Sequence, residues 1–123
     1  MERSSPGWTE TKRFTGGNHG GKRQFIALPG QITQLVEGEI PRLIGTLDNA
    51  TKIDKILGNG WVENHIIAKG GVLVHITNGH LTSVVLDDDD KNRPVEGLLA
   101  LHAHQGPPMK VEFRNIRLKV ITP

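Results

Sequence analysis

The 123-residue chain contains neither cysteine nor tyrosine. Without a thiol, no disulfide can tie the fold together, and no thiolate can serve as nucleophile or metal ligand. The redox compartment therefore stays open. Aromatic rings are scarce, with three Phe and two Trp, too few for a stacking platform for bases or a broad aromatic floor for polysaccharide. No apolar run approaches the roughly 20 residues of a membrane span. The opening MERSSPGWTE lacks the charged-then-apolar order of a signal peptide. Charge of one sign is also lacking: the formal net charge is +2, and Lys22-Arg23 is the nearest thing to a basic cluster. Nucleic-acid binding is not indicated. These absences leave a chain with no membrane span whose ligand is expected to be small and polar.

The length suits one domain with a single core. Residues 1–21 are rich in Gly, Ser and Thr and show no sustained period, which reads as a flexible N-terminal arm ahead of one domain over 22–123. From Arg23 onward, QFIAL, ITQLV and RLIGTL are separated by Pro29-Gly30 and Gly38, the pattern of short strands between turns. Asp48 to Gly58 breaks that pattern. There Ile53, Ile56 and Leu57 fall at i, i+3 and i+4, Asp48 or Asn49 can cap the start, and Gly58 can end one short helix.

Three antiparallel strands are expected next. HIIAK and VLVHIT flank Gly70-Gly71, and VLVHIT runs into Asn78-Gly79, a strong signal for a tight hairpin whose central residues both need positive φ. Period-two geometry puts Val74 and Ile76 on one face and Leu73, His75 and Thr77 on the other. The run Asp87 to Asp90 reads as a solvated loop, because its oxygens lack the alternating spacing and the glycine of a calcium loop.

The stretch GLLALHAHQGPPMKVEFRNIRLKVI, from Gly97 to Ile121, is the densest in candidate chemistry. Leu99, Leu101 and Ala103 alternate with Ala100, His102 and His104, so a strand here would line one face with two imidazoles. In the second run Met109, Val111 and Phe113 share one parity and Ile116, Leu118 and Val120 the other. A bulge near Arg114 and Asn115 would reconcile them.

With those residues in place, the chain resembles the 3-keto-disaccharide hydrolase domain family, from about Gly20 to Ile121. HITNG, from His75 to Gly79, resembles the family's His-x-x-Asn-Gly hairpin. The closing GLLALHAHQGPPMKVEFRNIRLK resembles a Gly-x-x-x-Leu-Gln-x-His-x-Gly-Pro-Pro strand and turn followed by Phe-Arg-Asn-Ile, and Trp61 matches the tryptophan before the hairpin's first strand. Two positions depart from the pattern: Val62 replaces the asparagine after that tryptophan, and His102 replaces the glutamine. The family domain also has further strands before the region matched here, so the chain looks like the C-terminal part of a domain.

The resemblance implies an all-β, concanavalin A-like jelly-roll sandwich, here lacking N-terminal strands and carrying one short helix. It also implies a periplasmic or secreted location, although the chain shows no signal peptide, and a substrate already oxidised at C3 of a sugar. That ketone acidifies the C2 proton, so the glycosidic bond can be cleaved by elimination. Elimination needs a base, a stabiliser for the enolate oxygen and help for the leaving oxygen. His104 and His75 are the candidate catalytic residues. Arg114, His102 and Trp61 are the candidate substrate contacts. His102 and His104, one residue apart on a strand face, can chelate a divalent ion if a third ligand converges. The competing reading is a non-catalytic carbohydrate-binding module or a truncated, inactive domain, favoured by the two lost amides. Missing strands would also leave a sheet edge through which copies of the chain could associate.

Overall fold

The structure is a computed structural model that describes residues 18–19, 25–47, 50–58, 60–101, 106–108 and 110–122. Its centre is a five-stranded mixed sheet built from β3 (Gln31–Leu35), β4 (Arg42–Thr46), β5 (Asn64–Lys69), β6 (Val72–Thr77) and β7 (His80–Asp87), in the order β4-β3-β7-β6-β5. A two-stranded pair, β1 (Asn18–His19) with β2 (Phe25–Ala27), and one helix, α1 (Ala50–Leu57), complete the regular structure. β1 falls within the stretch expected as an arm.

The local signals explain most of these elements. Asn78 and Gly79 adopt φ of 49° and 79°, the positive values required at both centres of a two-residue hairpin whose twist matches its strands. Gly58, at φ 62°, takes the left-handed conformation just past α1 that glycine adopts at little cost. Ile53 and Leu57, one turn apart, are its buried residues. The expected caps Asp48 and Asn49 lie outside the described residues.

β5, β6 and β7 form the expected antiparallel meander. The parallel pairing of β3 with β7 has no signal in the local sequence, since it depends on where the chain between them travels. It makes β7 the central strand. Cross-strand partners then align Ala68, Leu73, Val85, Thr33 and Leu43 in one row. Val85, Leu35 and Ala27 are buried, and Leu73 packs against them as the core. Ile67, Val74, Val84, Ile32 and Gly45 make the corresponding row on the opposite face.

A bulge interrupts the β6–β7 ladder between His75↔Ser83 and Ile76↔Leu81. Thr82 is the extra residue, and its hydroxyl donates to the His75 carbonyl at 3.0 Å. As a result Thr82 and Ser83, consecutive in sequence, are both fully buried, which strict alternation would forbid.

Two expectations are corrected. The run Asp87 to Asp90 is only half a solvated loop: Asp88 and Asp90 are exposed as expected, but Asp87 and Asp89 are 6% and 7% exposed. Register carries Asp87 inward beside Leu35, and Asp89 accepts bonds from the Asn92 backbone and side-chain N–H groups. Arg93 donates to the Asp87 carbonyl at 2.7 Å and pairs with Asp90 at 2.8 Å. Asp88 accepts from Gln34 at 2.7 Å. Each acid is tied into a folded turn rather than left to repel its neighbours.

The second correction concerns the C-terminal stretch. No strand forms among the described residues of 94–122, and Leu99, Val111, Phe113, Ile116, Leu118 and Val120 all stand exposed. An alternating pattern makes a strand only where a neighbouring edge accepts its backbone, and no such pairing is present there. The parity change has a different physical form: Asn115 adopts φ 55°, a left-handed kink that asparagine tolerates, rather than a bulge in a ladder. The fold is thus mostly β, one five-stranded mixed sheet with a short helix and the small β1-β2 pair, and the described residues do not form the expected jelly-roll sandwich.

Candidate functional site

The site lies at the start of the edge strand β5. The segment Gly60 to Val62 leads into that strand, and the extended segment Lys110 to Phe113 lies opposite. Between them is an open groove of about 460 Å³ lined by Gly60, Trp61, Val62, Asn64 and residues 110–113. Trp61 is half exposed on the near wall. The Arg114 guanidinium stacks over its indole at 4.0 Å from the ring centroid, so cation–π attraction holds the C-terminal segment against this wall.

Asn64 connects the groove to the polar interior of the sheet. Its Oδ1 accepts from His75 Nε2 at 3.1 Å and from the Thr77 hydroxyl at 3.2 Å. Because an amide oxygen only accepts, His75 must carry its proton on Nε2, which in the neutral ring places the lone pair on Nδ1. Thr77 also meets the Thr82 hydroxyl at 3.0 Å, and Thr82 reaches the His75 carbonyl. Two hydroxyl protons therefore serve three oxygen-to-oxygen contacts, a chain in which they can shift without any side chain moving.

Asn78 keeps this end of the sheet in place. Its Nδ2 donates to the carbonyls of Ile56 and Leu57 at 2.7 and 3.5 Å, satisfying acceptors left open at the C-terminus of α1. The Glu63 N–H donates to Asn78 Oδ1 at 2.9 Å, and Asn78 N–H returns a bond to the Glu63 carbonyl at 2.8 Å. Helix end, hairpin turn and the lead-in carrying Trp61 and Asn64 are joined by one side chain.

A family model for the 3-keto-alpha-glucoside-1,2-lyase-like domain matches residues 4–119. The chain belongs to this family. This is a carbohydrate-active enzyme family. No curated protein and no solved structure matches. The matched span begins at residue 4, ahead of the resemblance read from about Gly20.

In this lyase-like domain, of the candidate residues, Trp61 lines the groove itself, Arg114 reaches it through its stack on Trp61, and His75 through Asn64. His102 and His104 lie outside the described residues. Among the described residues no three His, Cys, Asp or Glu side chains converge on a metal-sized site, and no helix is long and apolar enough to cross a membrane. Glu112 pairs with Lys110 at 2.8 Å. Sequence reasoning missed Asn64. Its signal was available: the amide absent from position 62 recurs two residues later, on the same strand parity. Thr82 was signalled only by the adjacent hydroxyls of Thr82-Ser83 interrupting an alternating strand.

Proposed function

We propose that the chain acts on 3-keto-glycosides and cleaves the glycosidic bond by elimination across C1 and C2. The observation that carries the reading is a groove lined by Trp61 and Asn64, with Arg114 stacked on the one and His75 bound to the other, in a chain of the 3-keto-glucoside 1,2-lyase-like family. The family's descriptor, a 1,2-lyase, favours elimination over direct hydrolysis. Paired carboxylates of the ordinary glycosidase kind are not needed for it.

In this scheme a base removes the C2 proton and its electron pair moves toward the C3 ketone, giving an enolate. The pair then returns to form a C1–C2 double bond as the glycosidic oxygen departs and takes up a proton. His75, with its lone pair on Nδ1, and His104 are the groups proposed for the proton transfers. Arg114 is proposed as a substrate contact through its planar donors. Trp61 and His102 contact the sugar. A divalent ion held by His102 and His104 would serve as a Lewis acid toward the ketone oxygen.

Incubation of the folded chain with a 3-keto-disaccharide, with and without added divalent metal, tests this. Release of one sugar plus an unsaturated 3-keto sugar is expected. Release of two intact sugars would point to hydrolysis. Binding without turnover would instead make the chain a carbohydrate-binding module.

A further inference from the structure

Arg114 has more to offer than its stack on Trp61 uses. The guanidinium carries five N–H donors, yet among the described residues its contact is the cation–π stack on Trp61, with no hydrogen bond or ion pair to another described residue. Stacking holds the plane of the fork while leaving its donors unspent. A planar fork fixed in this way suits a carboxylate, which it can bind through two parallel bonds.

The groove's other charges decide which anion fits. Lys110 and Glu112, both on the far wall, pair at 2.8 Å, and Arg114, stacked on Trp61 beside the groove, adds one positive charge that none of the described residues pairs. That matches a singly charged carboxylate. A phosphate dianion would be left half-paired. The stack also covers one face of the indole, which shifts recognition at this wall from ring stacking toward charged hydrogen bonding.

We propose that the groove between Trp61 and residues 110–113 selects sugars bearing a carboxylate, of the uronic-acid type, with Arg114 as the specificity-determining residue. That the ligand is a sugar rests on the function proposed above. That it is a carboxylate rests on the unspent donors of Arg114 and the groove's charge balance.

Titration of Trp61 fluorescence in a Trp8→Phe background tests the binding, with glucuronate, glucose and inorganic phosphate as probes. Glucuronate should bind at least about tenfold more tightly than glucose, as expected when a charged hydrogen bond is gained, and the advantage should shrink with added salt. Arg114→Gln should collapse the preference, and Arg114→Lys should keep part of it. Equal binding of glucuronate and glucose, tighter binding of phosphate, or no binding of any probe would overturn the proposal. A merely structural Arg114 would weaken both sugars alike in Arg114→Gln and leave their ratio unchanged. Turnover separates this inference from the proposed function: cleavage of a neutral 3-keto-glucoside without any carboxylate preference leaves the function standing and defeats the inference. A carboxylate preference without turnover does the reverse.

Discussion

The Asn78 side chain donates to the Ile56 carbonyl at 2.7 Å, fastening a hairpin turn to the C-terminus of α1, 22 residues earlier in the chain. The turn's conformation needs only a residue that tolerates positive φ, and glycine would serve. The amide is needed for a second task, closing the helix end and the Glu63 lead-in together. Asn78→Gly separates the two. It keeps the turn and loses the side-chain bonds, so chemical unfolding should show a loss of about 1–3 kcal/mol. Stability equal to wild type would reduce Asn78 to a turn former.

Gly71 is required by a backbone neighbour. A Cβ there would sit 2.5 Å from the Asp87 carbonyl oxygen and 3.1 Å from Arg93 Nη1, in the turn where the Asp87 N–H also donates to the Gly71 carbonyl. Gly71→Ala should cost more than Gly79→Ala. Position 79 is at positive φ with open space around it, so it should cost only about 1 kcal/mol. The two melting temperatures, compared in one buffer, check the order.

Thr33 is 3% exposed, and its hydroxyl has no hydrogen-bond partner. It lies in the row between Val85 and Leu43, where a buried, unsatisfied oxygen costs about 1–3 kcal/mol. Thr33→Val replaces that oxygen with a methyl group of similar shape, and the melting temperature should rise. A fall would mean that the hydroxyl has a partner in solution.

If His75 transfers protons and Asn64 fixes its tautomer, the two variants should differ in their kinetics. His75→Gln should lower kcat on a 3-keto-glycoside about 100-fold or more. Asn64→Leu removes the acceptor for Nε2–H, so it should lower kcat by a smaller factor. Unchanged kcat in both would remove His75 from the chemistry.

The described residues of 94–122 lie outside the sheet and expose Leu98, Leu99, Leu118 and Val120. Brief trypsin digestion should therefore cut after Arg117 and Lys119 before any site within the five-stranded sheet, with mass spectrometry locating the cuts, and Trp61→Ala should make Arg114 an equally early site by removing its stack. The open edges β4 and β5 expose Leu43 and Ile66. Size-exclusion chromatography should accordingly show association that grows with concentration.

Local chemistry determined a good deal on its own. Asn78-Gly79 specified its turn, because few residue pairs accept positive φ twice. The spacing of Ile53 and Leu57 specified a helix with a single buried face, and the alternation in VLVHIT put His75 and Leu73 on the same side. These outcomes depend on residues within a few positions of one another.

The tertiary structure decided whatever depends on a distant partner. Nothing near Gln31 announces a parallel ladder with Ser83 to Asp87, and only that ladder makes β7 central and draws Asp87 inward. The C-terminal run shows the converse: its strand pattern is plain, yet a strand requires a second backbone to pair with, and among the described residues it has none. The groove follows the same rule. Trp61, Asn64, His75 and Arg114 could each be singled out or overlooked by residue type, but only folding sets Arg114 on Trp61 and Asn64 on His75, because contact between residues far apart in sequence is a property of the whole chain's path.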